Sequence, residues 1–495
     1  MTPAKNIQFS PRSVFIFAFL LSFCTGMIIT YVISPYFNIG KHFGGPGNDG
    51  YIELARNIVQ GEGFVFEPEG SPPIHRPPAY AFFLIPIAVL PDFLHRAGVI
   101  ILNSLFFGGT AFLLYKFSLK FFDRHLVLIS LLIFIFNPWV LWCIKFPMVA
   151  HLQMFLFTAL FVLILHLFFQ PEESLLKKSF LGSVVLGLVG GISALTHGIM
   201  LPLVISLFFI LIIIGIIKGR KDWVRLTSFA IVIFFIVVSP WTFRNWQVTG
   251  RFIPMVSNPG LLYFSGNAHW GIGTSDLKID TPEKRDALYR GKVINNIQRI
   301  LLFAGVDRPY KEVIHFYGLK DLELDAWLNK KAVHHALQNP DKLIRKVVLN
   351  SLEFYFPVTF YIFPPNFLSF SQHPLMTRIL SDCRTVEVIQ SLYYFLLWTF
   401  AIFGTGYSIY GRKKIKRCIV LLGAILIIIG SYLPFLVYIS YSMYSFSTLP
   451  FLSLLSASGI LVVKDRFWKD QTPDEVYNEE KFYPGHAPDN KKQAA

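Results

Sequence analysis

Three stretches carry residue types able to do chemistry in a chain that is otherwise mostly apolar. The first, GGPGNDGYIELARNIVQGEGF from Gly44 to Phe64, sets Asp49 between glycine-rich turns with Glu53 four residues on. If a helix begins here, that spacing puts both carboxylates on one face. A carboxylate so placed is a proton acceptor for an attacking hydroxyl, a role worth roughly 10²–10⁴-fold in rate. It is equally a helix N-cap, because Asp accepts from the free N–H groups of a first turn and suits the helix dipole. One residue can serve both purposes. The second stretch, EGSPPIHRPPAY from Glu69 to Tyr80, sets His75 and Arg76 before a double proline. A guanidinium held there either faces a phosphate, for which its planar fork is shaped, or anchors to headgroups at a membrane interface. His75 offers a metal ligand or a hydrogen-bond donor. The third, SPWTFRNWQVTGRF from Ser239 to Phe252, presents Arg244 and Asn245 between Trp241 and Trp246. Aromatic belts at bilayer surfaces account for the tryptophans alone, and Arg244 has the same two readings as Arg76.

The elements that position these residues must be membrane helices. Hydrophobic residues make up 54% of the chain, aromatics 16% and charged residues only 15%, which excludes a soluble domain. A spanning helix needs ~20 apolar residues. Runs of about that length fall near 14–36, 97–117, 125–144, 148–169, 180–196, 199–217, 226–241, 388–410, 418–440 and 443–463. The expected fold is an all-α polytopic membrane protein. The first run, Val14 to Tyr36, has no small-x-small cleavage site and more spans follow it, so it is expected to be retained. Ser179 to Ile217 is too long for one span, and Thr196-His197-Gly198 is the natural turn between two.

The net charge of +15 invites a nucleic-acid partner, but the positions of the charges argue against one. Lys116, Lys120, Arg124, Lys177, Lys178, Lys218, Arg220, Lys221, Arg225, the cluster Arg412–Arg417 and Lys464 to Lys469 all fall on one side if the first span runs outward. That side is then cytoplasmic by the positive-inside rule. The expected organisation is a membrane module over 1–241 with a first external loop at 37–95, an external region at 242–387, closing helices at 388–464 and a polar tail at 465–495. In the first loop, Tyr51, Leu54, Ala55 and Ile58 predict an amphipathic surface helix, with Glu53, Arg56, Asn57 and Gln60 opposite and Gly61 as its stop. The loop's apolar end, from Ala79, re-enters the bilayer. A short helix is expected at Lys330–Asn339, and Val347–Pro364 is long enough to dip into the membrane. Three of the four cysteines, Cys24, Cys143 and Cys418, lie in or beside apolar runs, and no CxxC pair predicts a disulfide framework or thiolate metal site. The spans 14–36, 125–144, 226–241, 388–410 and 418–463 contain no Asp, Glu, Lys or Arg. Transporters keep ionisable groups near the midplane, so this distribution favours an enzyme with its chemistry in external loops.

The ordered set NDGYIELARNIVQGEGF, HRPPAY, PWTFRNWQVTGRF and Gly266-Asn267 resembles the bacterial members of the protein-mannosyltransferase and aminoarabinose-transferase superfamily. HHALQNPDKLIRK, followed by Val347–Pro357, resembles a weaker helical element of the same family, and the likeness covers roughly residues 14–360. The resemblance implies a GT-C-type multispan helical bundle of about 10–13 spans. It implies an inverting glycosyltransferase that moves a sugar from a polyprenyl-phosphate carrier to a hydroxyl on a protein, lipid or glycan. The site would face outward, or into the periplasm, from the cell inner membrane. By the same resemblance Asp49 matches the catalytic base, and Arg76 and Arg244 match residues facing the donor phosphate. Glu53, His75, Tyr80, Asn245 and Asn267 are carried with them as substrate-binding residues. This chain departs from the pattern where MVAHLQMF supplies His151 and Gln153 in place of an acidic residue, and where YSMYSFSTLP lacks a basic one. A divalent metal, Mg or Mn, is compatible with phosphate departure, but no ligand cluster in the sequence is assigned to it. The competing readings are a lipid-linked polysaccharide polymerase or ligase and a flippase for lipid-linked sugars.

Overall fold

The computed structural model describes residues 9–33, 50–66, 72–168, 175–256, 322–338, 383–410 and 447–468, with residues 340, 341, 343, 344, 425 and 428. Among these residues every regular element is a helix. α1 (Pro11–Met27) starts at Ser10, whose side chain accepts from the Ser13 N–H at 3.0 Å. Pro11 takes the first helical position, where its missing N–H costs nothing. The helix runs on as a wider π turn over Ile28–Ile33. The first external loop folds into two short helices, α2 (Tyr51–Val59) and α3 (Ala79–Ala88). α4 (Asp92–Ser118) has 27 residues, so at 1.5 Å per residue it reaches ~40 Å, more than the hydrocarbon thickness. α5 (Arg124–Ile135), α6 (Pro138–Cys143), α7 (Ala150–Phe168), α8 (Leu175–Thr196), α9 (Met200–Ile217) and α10 (Lys221–Thr249) follow. α11 (Leu322–Gln338), α12 (Cys383–Tyr410) and α13 (Leu449–Trp468) complete the described elements.

Five of the described helices are long and apolar enough to cross a membrane, and shorter apolar helices such as Ala79–Ala88, Arg124–Ile135 and Phe180–Thr196 pack with them. The span expected at 125–144 is broken. Asn137 ends the first half, and its Oδ1 accepts from the Trp139 and Val140 N–H groups at 3.1 and 3.0 Å, so Pro138 opens a new helix. The span expected at 226–241 is longer than its apolar run. Pro240 sits inside α10 and removes the N–H that would bond Ile236 O, but the Ser239 hydroxyl donates to that carbonyl at 3.3 Å. The helix therefore continues to Thr249 and stops at Gly250, whose φ is +65°. The helix expected at Lys330–Asn339 is the second half of α11. Val347–Pro364 and the cluster Arg412–Arg417 lie outside the described residues.

Helices meet closely where glycine allows it. Gly404 of α12 lies against the Leu455 carbonyl, and Gly459 of α13 against the Phe400 carbonyl, leaving no room for a Cβ on either. This is the small-residue contact that packs helices in lipid, where apolar burial drives little association between them. Tyr394 and Asn137 exchange hydrogen bonds at 3.2 and 3.3 Å, and the Tyr393 hydroxyl donates to Ile133 O at 2.6 Å, so α12 is tied to α5 and the turn before α6.

Candidate functional site

The first external loop is folded onto the ends of the long helices. Gly50, with φ +75°, stands at the N-cap of α2. The N-cap position expected of Asp49 is thus Gly50's, in left-handed backbone that glycine takes without strain, and a Cβ there would meet the Phe66 ring, while Asp49 itself lies outside the described residues. α2 is not a helix lying with its apolar face in lipid either. Tyr51, Ile52, Leu54 and Ala55 are buried against Tyr80, Ala81 and Leu84 of α3. Asn57, expected on the polar side, is buried too, with its Nδ2 donating to Val65 O at 2.7 Å and closing the turn after the helix. Gly61 and Gly63 carry the chain through that turn at φ +82° and +84°. Arg56 pairs with Asp92 at 2.8 Å, tying α2 to the first turn of α4 across solvent.

Two arginines close the loop from different directions. The Arg76 guanidinium lies 5.7 Å from the Tyr51 ring centre, over the start of α2. Arg244, five residues before the end of α10, donates from Nη1 to Pro73 O at 3.0 Å and to Asn245 Oδ1 at 3.0 Å. Its guanidinium lies 4.6 Å from the Trp241 ring centre and 5.6 Å from that of Phe64. The Phe64 and Trp241 rings meet edge to face at 4.9 Å. One residue of α10 thus grips both arms of the loop. Asn245 is fully buried and completes the support, its Nδ2 donating to Ile253 O at 3.1 Å and Met255 O at 2.9 Å. Beneath them runs a second chain of contacts. Tyr51 meets Tyr80 edge to face at 5.4 Å, and the Tyr80 hydroxyl donates to Asn103 Oδ1 at 3.1 Å. Asn103 in turn donates to Ile144 O at 2.9 Å and Phe146 O at 2.8 Å, fixing the turn between α6 and α7.

No protein-family model matches the sequence, and no curated protein does. Solved structures do match. The apo oligosaccharyltransferase of Archaeoglobus fulgidus superposes with a TM-score of 0.53 at 12% identity, over 94% of this chain and 52% of that one. The same organism's oligosaccharyltransferase AglB, in complex with an inhibitory peptide and a dolichol-phosphate, gives 0.52 at 15% identity, over 92% and 50%. The fold is of the GT-C type. The chain spans about half the length of these archaeal enzymes. ArnT from Cupriavidus metallidurans, bound to undecaprenyl phosphate, is also similar, with a TM-score of 0.41 at 12% identity over 90% of this chain and 77% of that one.

Within the GT-C frame the sequence-picked residues divide. Arg244 is bonded to Pro73 O, three residues before Arg76 and two before His75, and Glu53 occupies the first turn of α2, whose Tyr51 ring Arg76 covers. Tyr80 and Asn245 are buried with their polar atoms committed to Asn103 and to backbone carbonyls, so they sit as supports of the loop. Asp49 and Asn267 lie outside the described residues. His197 was visible in the sequence only as part of a turn. It lies partly buried at the junction of α8 and α9, and desolvation together with the Arg76 charge lowers it to about 4. Its Nδ1 accepts from the Ile199 N–H at 3.4 Å, which puts the proton of the neutral ring on Nε2. His75 is likewise held well below its ordinary value by burial and by Arg76. Two neutral imidazoles therefore flank a guanidinium. The only sequence signal for His197 was a polar residue in a turn on the same side as Arg76. His151, in the position where the resembling family carries an acid, is buried with Nε2 3.3 Å from Val140 O. Among the described residues no group of three His, Cys, Asp or Glu side chains comes together to hold a metal ion.

Proposed function

We propose that the protein is an inverting glycosyltransferase that moves a sugar from a polyprenyl-phosphate carrier to a hydroxyl acceptor at the outer face of the cell membrane. The observation that carries this reading is the convergence of Arg76 and Arg244 on one aromatic-lined loop, with Arg244 bonded to Pro73 O. The shared fold with an archaeal transferase whose complex contains dolichol-phosphate supports a lipid-phosphate donor.

The chemistry follows from the leaving group. As the glycosidic bond breaks, negative charge collects on the lipid phosphate, and fixed cations aimed at it supply the largest stabilisation such a site offers. Arg76 and Arg244 take that role. The neutral His197 and His75 rings contribute hydrogen-bonding groups without adding a third and fourth positive charge. The acceptor hydroxyl attacks the opposite face of the anomeric carbon and gives its proton to Asp49. A phosphate leaves without a general acid, so one carboxylate suffices where glycoside hydrolysis uses two.

The test is transfer from a panel of radiolabelled polyprenyl-phosphate sugars by the purified protein. Asp49→Asn should abolish transfer while the protein still inserts and melts cooperatively; near-normal turnover would reduce Asp49 to a turn residue. Arg76→Ala should impair donor use more than Arg76→Lys, and equal effects would leave Arg76 as an interfacial anchor.

A further inference from the structure

Lys145 is a charge that the proposed reaction does not use. It lies in the turn between α6 and α7, outside the spanning segments, and is 92% buried, with a relative exposure of 8%. Its ammonium has no hydrogen-bond partner, and no ion pair with it occurs among the described residues. What it has instead is aromatic. Nζ stands 3.8 Å from the Trp142 ring centre and 5.0 Å from that of Phe146, both residues partly buried. A desolvated cation–π contact recovers only part of what an ammonium loses on leaving water. Burial pushes the amine down to about 8, with the neighbouring Arg96 adding to the effect and Cys143 opposing it. A basic group this poorly compensated, facing a second cation, is in the condition of a receptor for an anion.

The turn is also held to the site. Asn103 donates to the carbonyls on both sides of Lys145, those of Ile144 and Phe146, and accepts from Tyr80, which packs on Tyr51 beneath Arg76. A residue merely filling space between aromatics would not need an ammonium, since methionine or leucine would cover Trp142 without desolvating a charge.

We propose that Lys145 is a further phosphate-binding residue, its ammonium kept for a phosphate oxygen of a lipid ligand, with Trp142 and Phe146 forming the walls that the ligand displaces or lines. The inference rests on the transferase reading only for the identity of the ligand. The phosphate belongs either to the polyprenyl carrier or to a bilayer phospholipid.

The full chain in phosphatidylcholine nanodiscs separates these sources. Undecaprenyl phosphate or phosphatidylglycerol is titrated into wild type, Lys145→Gln, Lys145→Arg and Lys145→Met, reading the shift in melting temperature. Undecaprenyl phosphate should raise the melting temperature of wild type. Lys145→Gln should raise its apparent Kd by about tenfold, the ratio for losing one charge-assisted hydrogen bond, and Lys145→Arg should restore most of it. A Lys145-dependent shift with phosphatidylglycerol alone would support the anion site and assign it to headgroups. Without ligand, Lys145→Met should melt at or above wild type, because an unpaired buried charge is removed. Unchanged affinity in Lys145→Gln, or Lys145→Met melting well below wild type, would overturn the proposal and leave the lysine as packing for Trp142. A wild type that binds through Lys145 yet transfers no sugar would keep this inference and remove only the transferase reading.

Discussion

Arg244 shows how much one side chain can be asked to hold. Its guanidinium bonds the Pro73 carbonyl and Asn245 while lying over Trp241, a combination that lysine's single ammonium cannot make at once. Arg244→Ala should cost ~1–3 kcal/mol and speed proteolytic cleavage of the first external loop, with Arg244→Lys intermediate; unchanged cleavage would show that the loop is held elsewhere. The histidines give a prediction in pH. His197 has a folded value near 4 against an ordinary 6.5, so the unfolded chain binds the proton more readily. The stability from keeping it neutral is complete above about 6.5 and is lost as pH falls toward 4, on the order of 3 kcal/mol. Burial and Arg76 act on His75 in the same direction. Melting curves between these pH values should fall more steeply for wild type than for His197→Gln; parallel curves would contradict the assignment. Arg76, His75 and Arg244 were legible in the sequence because each sits in an unusual polar string. His197 and Lys145 were not, since a lone polar residue beside apolar runs gives no local sign of what it faces.

At the scale of elements, length and apolarity located most helices, but not their breaks. The pause at Asn137 depends on a side chain capping the next turn, and the continuation through Pro240 on a serine hydroxyl bonding the stranded carbonyl. Neither is visible in hydropathy. Asn103 is the joint between elements: it links α3, α4 and the turn holding Lys145 through three hydrogen bonds, two of them buried. Asn103→Leu leaves the Tyr80 hydroxyl and two carbonyls without it, and should destabilise by ~2–4 kcal/mol, read as a lowered melting temperature in detergent. A near-neutral effect would mean that water replaces the amide and that the turn is not held from α4. Gly404→Leu should separate α12 from α13 more severely, because backbone carbonyls rather than flexible side chains occupy the space.

For the whole molecule the testable quantity is orientation. With the native cysteines replaced, a membrane-impermeant maleimide on intact cells should label Gln60→Cys, exposed after α2, but not Lys218→Cys, exposed after α9. The reverse pattern would invert the protein and take the proposed external site with it. Composition and charge placement by themselves determined that this is a helical membrane protein with its polar chemistry gathered in loops, because partition into lipid depends on the local sum of apolar surface and on where cations must stay. The tertiary structure decided what those loops hold. Arg244 and Pro73 are 171 residues apart in sequence, and Asn103 reaches Phe146 across 43. Contacts at such separations arise from how helices pack, and no local pattern encodes them. The same packing put Gly50 in the place expected of Asp49, turned Tyr80 and Asn245 into supports, and buried a lysine where only an aromatic turn had been visible.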